Sequence, residues 1–311
     1  MTSVVKKIAA YAKLLRLSNA PTAVADVWMG YAVVSGELKP TWPLALMTVA
    51  SLCLYHGGMA LNDANDAEED ARDNRGRPIE NEQVSRNTAY SLAYGLFTLA
   101  ILLSFYLCIL IAGFELLFIT ALLCAAIIAY NSRYKPTVAG PFLMAFCRFL
   151  NVQLGSSAAV FTLQTFEGKA PASLSDAYAA AFVIGCYVLG LTLFARHETA
   201  GANRVPLLIG LSISLAAIAI AATTLWIPPS VNPLSWRLML VVAGLFSVRG
   251  MVAGILQPTP KNIGRGVGIA IQGLVVIDAT LATLYAGPVA GLAILALLPV
   301  TMLLARWIPQ T

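Results

Sequence analysis

The stretch PLALMTVASLCLYHGGMALNDANDAEED, Pro43 to Asp70, changes character at Asn62. Before it runs an apolar segment of the length that crosses a bilayer, about 20 residues. After it, six carboxylates fall between Asp63 and Asp73. Acids so close together at the end of a membrane span repel one another unless a cation lies among them.

The rest of the chain has the same apolar character. Of 311 residues, 59% are hydrophobic and only 11% charged, against about a quarter charged in an average soluble domain. The mean hydropathy is +0.77. This is the composition of an integral membrane protein, so its charges belong at interfaces or at a site. A pI near 9.0 reflects basic loops on one side of a bilayer and does not point to nucleic acid.

Apolar runs predict nine or ten spans, at 18–36, 43–64, 88–111, 114–131, 140–163, 177–196, 205–226, 236–257, 267–286 and 289–306. Gly287-Pro288, before the tenth, reads as a tight turn or a kink. The expected fold is all-α: one domain over 1–311, a polytopic bundle around a central cavity. Residues 1–17 form a basic amphipathic lead-in, and 65–87 a polar motif loop. With the N-terminus inside, 20 Lys and Arg distribute so that only Lys39, Lys169 and Arg237 fall outside. The positive-inside rule then puts the N-terminus and the acidic cluster in the cytoplasm, with the chain in the inner (plasma) membrane. Five cysteines (53, 108, 124, 147 and 186) lie singly in apolar stretches and read as small buried hydrophobes.

Asp63, Asp66 and Asp70 are spaced i, i+3, i+7 and line one helix face, with Asn62 adding an amide oxygen. Hard oxygen donors in this array suit Mg²⁺, which keeps some waters and takes further oxygens from substrate phosphates. Arg72, Arg75 and Arg77 follow, and arginine forks bind phosphate oxygens bidentately. The plainer alternative is a solvated helix end whose acids pair with those arginines.

NDANDAEED resembles the first aspartate motif of the UbiA superfamily of intramembrane prenyltransferases, and RGRPIENEQVS the arginine-proline loop after it. RLSNAP (Arg16–Pro21), YNSRYKP (Tyr130–Pro136) and FCRFLNVQLGSS (Phe146–Ser157) resemble further family segments, in the family's order. The resemblance covers about residues 10–165. It implies a prenyl diphosphate clamped by Mg²⁺ at the cytoplasmic mouth, a lipophilic acceptor such as an aromatic ring, and membrane lipids around the bundle. It implies Asn62, Asp63, Asp66 and Asp70 as metal and diphosphate ligands, with Asp63 and Asp66 catalytic. Tyr130, Arg133 and Lys135 are implied as the diphosphate-facing group, and Asn19 and Asn151 as cavity-facing polar residues.

One departure is clear. Where the family carries a second Asp-x-x-x-Asp motif, this chain reads LTLFARHETAGANR, Leu191–Arg204, with Glu198 its one carboxylate. Arg196 and Glu198 are the substrate-binding candidates there, fixed cations replacing a second metal. The CRFLN segment and this degenerate motif also resemble the UbiA-like members of ebo gene clusters. They leave open a second reading: a membrane protein that binds or helps move a secondary-metabolite precursor without transfer chemistry.

Asp26, His56 and Asp278 lie within spans, where charge is costly and so faces a cavity or a partner. One of them is expected to bind or deprotonate the acceptor hydroxyl, the alternative being a buried structural hydrogen bond. Arg148 and Asn151, at i, i+3, share a face toward the same cavity.

Overall fold

The computed structural model describes residues 3–73, 76–111, 114–171, 174–196, 204–225, 227–229 and 231–308. Every regular element among them is helical: α1 (Ser3–Leu14), α2 (Ala20–Ser35), α3 (Trp42–Asp73), α4 (Arg86–Ile111), α5 (Glu115–Ala129), α6 (Ala139–Thr162), α7 (Leu174–Ala195), α8 (Arg204–Thr224), α9 (Pro233–Leu256), α10 (Pro260–Leu295) and α11 (Leu297–Ala305). Among the described residues eight helical stretches are long and apolar enough to cross a membrane. The chain is a multi-pass membrane protein.

The count rises from eight toward the expected nine or ten for two physical reasons. First, α2 has only 16 residues but is buried around nearly its whole circumference. A helix apolar on all sides is a core helix, and α2 packs against α3, α6, α7 and α10. Second, the run from Pro260 to Ala305 is broken at Gly287, which takes φ 78°. Glycine tolerates that backbone, and Pro288 removes the next N–H. The chain folds back there: a Cβ on Gly291 would run into the Thr283 side chain and the Ala279 carbonyl. Beyond it, α11 returns to α2 and residues 17–19.

Helices α2 and α6 touch backbone to backbone. A Cβ on Gly30 would meet the Val152 carbonyl, and one on Gly155 the Val27 carbonyl. Small residues allow this approach, which packs membrane helices in the absence of a hydrophobic drive between them. Leu102 and Ile109 of α4 and Val242 and Leu245 of α9 point outward, as a lipid-facing belt requires.

The motif loop is shorter than expected. Helix α3 continues through the acids to Asp73, because Ala64, Ala67, Glu68, Glu69 and Ala71 are good helix formers. The break comes at Gly76, with φ 67°, followed by Pro78.

Candidate active site

The last turns of α3 carry the acids inward. Asp63 is 1% exposed and Asp70 2%, a depth at which a carboxylate needs a partner. Each of the three aspartates has a cation from a different segment. Arg16 Nη2 donates to Asp63 Oδ1 at 3.3 Å, and Asn62 Nδ2 approaches the same oxygen at 3.5 Å. Lys135 Nζ donates to Asp66 Oδ2 and to Asn62 Oδ1 at 2.9 Å. Arg77 Nε lies 4.0 Å from Asp70 Oδ2.

Local backbone devices aim these cations. Arg16 sits at the turn before α2 with φ 45° and ψ 52°, a left-handed conformation that costs a non-glycine residue about 1–3 kcal/mol. Two α3 side chains hold that turn: the Tyr55 hydroxyl donates to the Arg16 carbonyl at 3.2 Å, and His56 Nδ1 to the Leu15 carbonyl at 2.9 Å. The carbonyl can only accept, so Nδ1 carries the hydrogen. Lys135 follows a π-helical turn, Tyr130–Tyr134, closed by the Lys135 amide on the Tyr130 carbonyl at 3.0 Å. Such turns recur at functional sites. Asn65 Nδ2 ties this turn to α3 through the Asn131 carbonyl at 2.9 Å, and the Tyr90 hydroxyl donates to Asn65 Oδ1 at 2.8 Å. From the end of α7, Arg196 Nη2 donates to the carbonyls of Lys135 (2.7 Å) and Thr137.

One helical turn before Asn62 begins a cavity of ≈ 610 Å³ of atom-free space, its open mouth included. Its walls come from α2, α3, α5 and α6, and are largely apolar: Leu54, Met59, Leu123, Ile127 and Met144. Tyr55, Tyr130, Asn131, Cys147, Arg148 and Asn151 also reach it.

The sequence candidates therefore fall into separate groups. Asn62, Asp63, Asp66 and Lys135 are brought together, and Tyr130 and Asn151 line the cavity beside them. Asn19, 6% exposed, is buried beside the Tyr55 hydroxyl. Asp70 stands seven residues along the helix from Asp63, about 10 Å along the axis, beside Arg77. Arg72 is exposed and bonds the Glu68 carbonyl of its own helix at 3.2 Å, and Arg133 is exposed. Arg196 holds carbonyls of the Lys135 turn. Glu198 lies outside the described residues. His56 holds the Leu15 carbonyl, and Asp26 and Asp278 are fully buried behind the cavity wall. Arg16 and Tyr55 were not singled out as site residues; a tyrosine inside the apolar run before the motif was the available signal.

The donor set fits Mg²⁺ as a shared ligand. Asp63 Oδ2 is buried and has no hydrogen-bond partner among the described residues, so an anionic oxygen stands ready for a cation. Among the described residues no three His, Cys, Asp or Glu converge on one point. Mg²⁺ does not require that, since it commonly takes one or two carboxylates together with phosphate oxygens and water. Asp63 and Asp66 could supply the two, with Asn62 as a third oxygen.

Comparison with known proteins gives this geometry a family. The model of the UbiA prenyltransferase family matches residues 23–265, and the chain belongs to that family. Among similar sequences are digeranylgeranylglyceryl phosphate synthases of Sulfolobus acidocaldarius, 27% identical over 160 residues (51% of this chain, 56% of the relative), and of Metallosphaera sedula, 32% identical over 128 residues (41% and 43%). The chain spans about half the length of these curated relatives. Two solved structures share the fold: a UbiA homolog from Archaeoglobus fulgidus bound to GPP and Mg²⁺, with TM-score 0.64, 12% identity, and 92% of this chain and 99% of that one covered; and a digeranylgeranylglyceryl phosphate synthase, with TM-score 0.60, 14% identity, and 90% and 99% covered.

Proposed function

We propose that this protein transfers a prenyl group from a prenyl diphosphate to a lipophilic acceptor inside the membrane, with Mg²⁺ as cofactor. The observation that carries this reading is the convergence of Asn62, Asp63 and Asp66 with Arg16 and Lys135 just above an apolar cavity. Family membership and a fold neighbour bound to GPP and Mg²⁺ support it. The positive-inside distribution supports a cytoplasmic N-terminus and motif end, in the plasma membrane.

The residues divide the work. Asp63, Asp66 and Asn62 would hold Mg²⁺, which when bound absorbs charge developing on the departing diphosphate. Lys135 and Arg16 already lie against the motif, and their N–H groups can pass from carboxylate to diphosphate oxygens with little movement. Arg77, on the loop after α3, is a further cation beside Asp70. The bond from the prenyl carbon to oxygen breaks and the diphosphate leaves with the electron pair. Leu54, Met59 and Ile127 exclude water from the allylic cation, and the rings of Tyr55 and Tyr130 border its space, where an aromatic face attracts positive charge. The acceptor supplies the new bond's electrons and loses a proton.

A second reading has its own observation: Asp63, Asp66 and Asp70 each lie beside a basic side chain of the same chain. A site so neutralised could hold diphosphate by fixed cations and never turn over, a UbiA-like protein that binds or helps move a precursor. Diphosphate release from a panel of prenyl diphosphates, with and without Mg²⁺ and aromatic acceptors, separates the two. Mg²⁺-dependent release supports transfer; binding without release supports the second reading; neither binding nor release removes both.

A further inference from the structure

The cavity ends on a charged group that the diphosphate end does not use. Arg148 of α6 lines it, with 15% of its side chain exposed. Arg148 Nη1 donates to Asp26 Oδ2 at 2.9 Å and Nη2 to Thr22 Oγ1 at 3.0 Å, both on α2. Asn151 Nδ2 donates to the same Asp26 oxygen at 2.9 Å, and Ser51 Oγ donates to Asn151 Oδ1 at 2.6 Å. Asp278 of α10 is fully buried, with Asp26 and Arg148 as its charged neighbours.

The charges at this floor balance: one guanidinium faces two carboxyl groups that lie against each other in a fully buried space and hold one proton between them. A ligand carboxylate would bring an uncompensated charge into that desolvated space, beside the negative charge the two acids already carry. Hydrogen-bonding capacity does not balance. A guanidinium has five N–H donors in a fixed fork; two of its nitrogens bond Asp26 and Thr22, while part of the side chain remains open to the cavity. Such a floor offers donors without offering net positive charge. Tyr55 lies eight residues before Asp63 on α3, about 12 Å along the axis, so an acceptor reaching this floor sits below the diphosphate rather than in its place.

We infer that Arg148, backed by Asp26 and Asp278, forms an oxygen-recognition subsite for the acceptor, which takes a neutral lipophilic molecule bearing a phenol, alcohol or carbonyl oxygen and rejects the matching carboxylate. The inference rests on the transferase reading for the word acceptor, but its test does not need turnover. Arg148 donates to the ligand oxygen, Asp26 and Thr22 fix the fork's orientation, and the negative charge shared by Asp26 and Asp278 sets the selectivity against anions.

The probes are 1-naphthol and 1-naphthoate, similar in size and differing in charge. Binding to purified protein is measured without Mg²⁺ or diphosphate. Arg148→Gln alone strands the buried Asp26, so the informative variant is Arg148→Gln with Asp26→Asn, which removes both charges together. It is expected to weaken 1-naphthol binding about tenfold, the scale of one charged hydrogen bond. Asp26→Asn with Asp278→Asn, which leaves the Arg148 guanidinium without a counter-charge, is expected to shift the naphthol-to-naphthoate preference about tenfold toward naphthoate. Detergent partitioning of the probes is the same for every variant. Unchanged naphthol affinity in Arg148→Gln with Asp26→Asn, or an unchanged preference in Asp26→Asn with Asp278→Asn, overturns the inference. Mg²⁺-dependent binding of geranyl diphosphate is scored separately on the wild type; its absence would sink the transferase reading without altering the naphthol results.

Discussion

Lys135 Nζ joins Asp66 Oδ2 to Asn62 Oδ1, linking the turn after α5 to a motif some 70 residues earlier in the chain. A lysine thus stands where the motif's own chemistry calls for a cation. It is 34% exposed, open enough to be reached by an incoming anion.

Lys135→Ala should weaken prenyl diphosphate binding about tenfold, the loss of one charged hydrogen bond. The same change should strengthen Mg²⁺ binding, because a competing cation leaves Asp66. Titrating each ligand against the variant and wild type by calorimetry checks both directions; a loss of affinity for both would show that Lys135 only supports the fold.

The Arg196 guanidinium bonds the Lys135 and Thr137 carbonyls, so its expected effect on the substrate runs through the Lys135 turn. Arg196→Ala should raise KM for the prenyl diphosphate by about tenfold while changing kcat little, since uniform binding is what is lost. Arg196→Lys, with a single ammonium in place of a fork, should recover part of it. A fall in kcat at unchanged KM would argue that Arg196 meets the reacting atoms directly.

His56 and Tyr55 hold the strained turn at Arg16. His56→Leu removes the bond to the Leu15 carbonyl and should let Arg16 relax from its left-handed backbone. Diphosphate affinity should then fall several-fold, and so should protection from hydrogen exchange of the Arg16 and Asn19 amides, which bond across this turn. Unaltered exchange at that turn would remove His56 from this role.

The contact between α2 and α6 is set by glycine. Gly155→Ala pushes a methyl group into the Val27 carbonyl and should destabilise the protein by about 1–3 kcal/mol, the range for overpacking. Gly95→Ala, at a position with open space around its Cβ, is the control and should be neutral or better for its helix. Thermal unfolding midpoints in one detergent give the comparison.

The helices were legible because length and apolarity are local properties. Span α3 and its acids could be read directly, and so could the shared face of Asp63 and Asp66. Relationships across the chain could not. Nothing near Asp63 announces Arg16, and the fold-back at Gly287 depends on Gly291 fitting against Thr283. Asp70 shares the face of Asp63 but stands about 10 Å further along the axis, where Arg77, from the loop after the helix, meets it. Charge within a span needs a partner, and the sequence could not name it: His56 has the Leu15 carbonyl at the Arg16 turn, and Asp26 the Arg148 guanidinium.

The most direct measurement is binding of geranyl diphosphate to wild type and to Asp63→Asn with Asp66→Asn, each with Mg²⁺ and with EDTA. Wild type should bind with Mg²⁺ and lose at least about tenfold in affinity with EDTA, and the double variant should bind weakly in both, in keeping with a metal held by one or two carboxylates and phosphate oxygens. Metal-dependent affinity that survives both substitutions would contradict the assignment of Asp63 and Asp66 as the cation-binding pair.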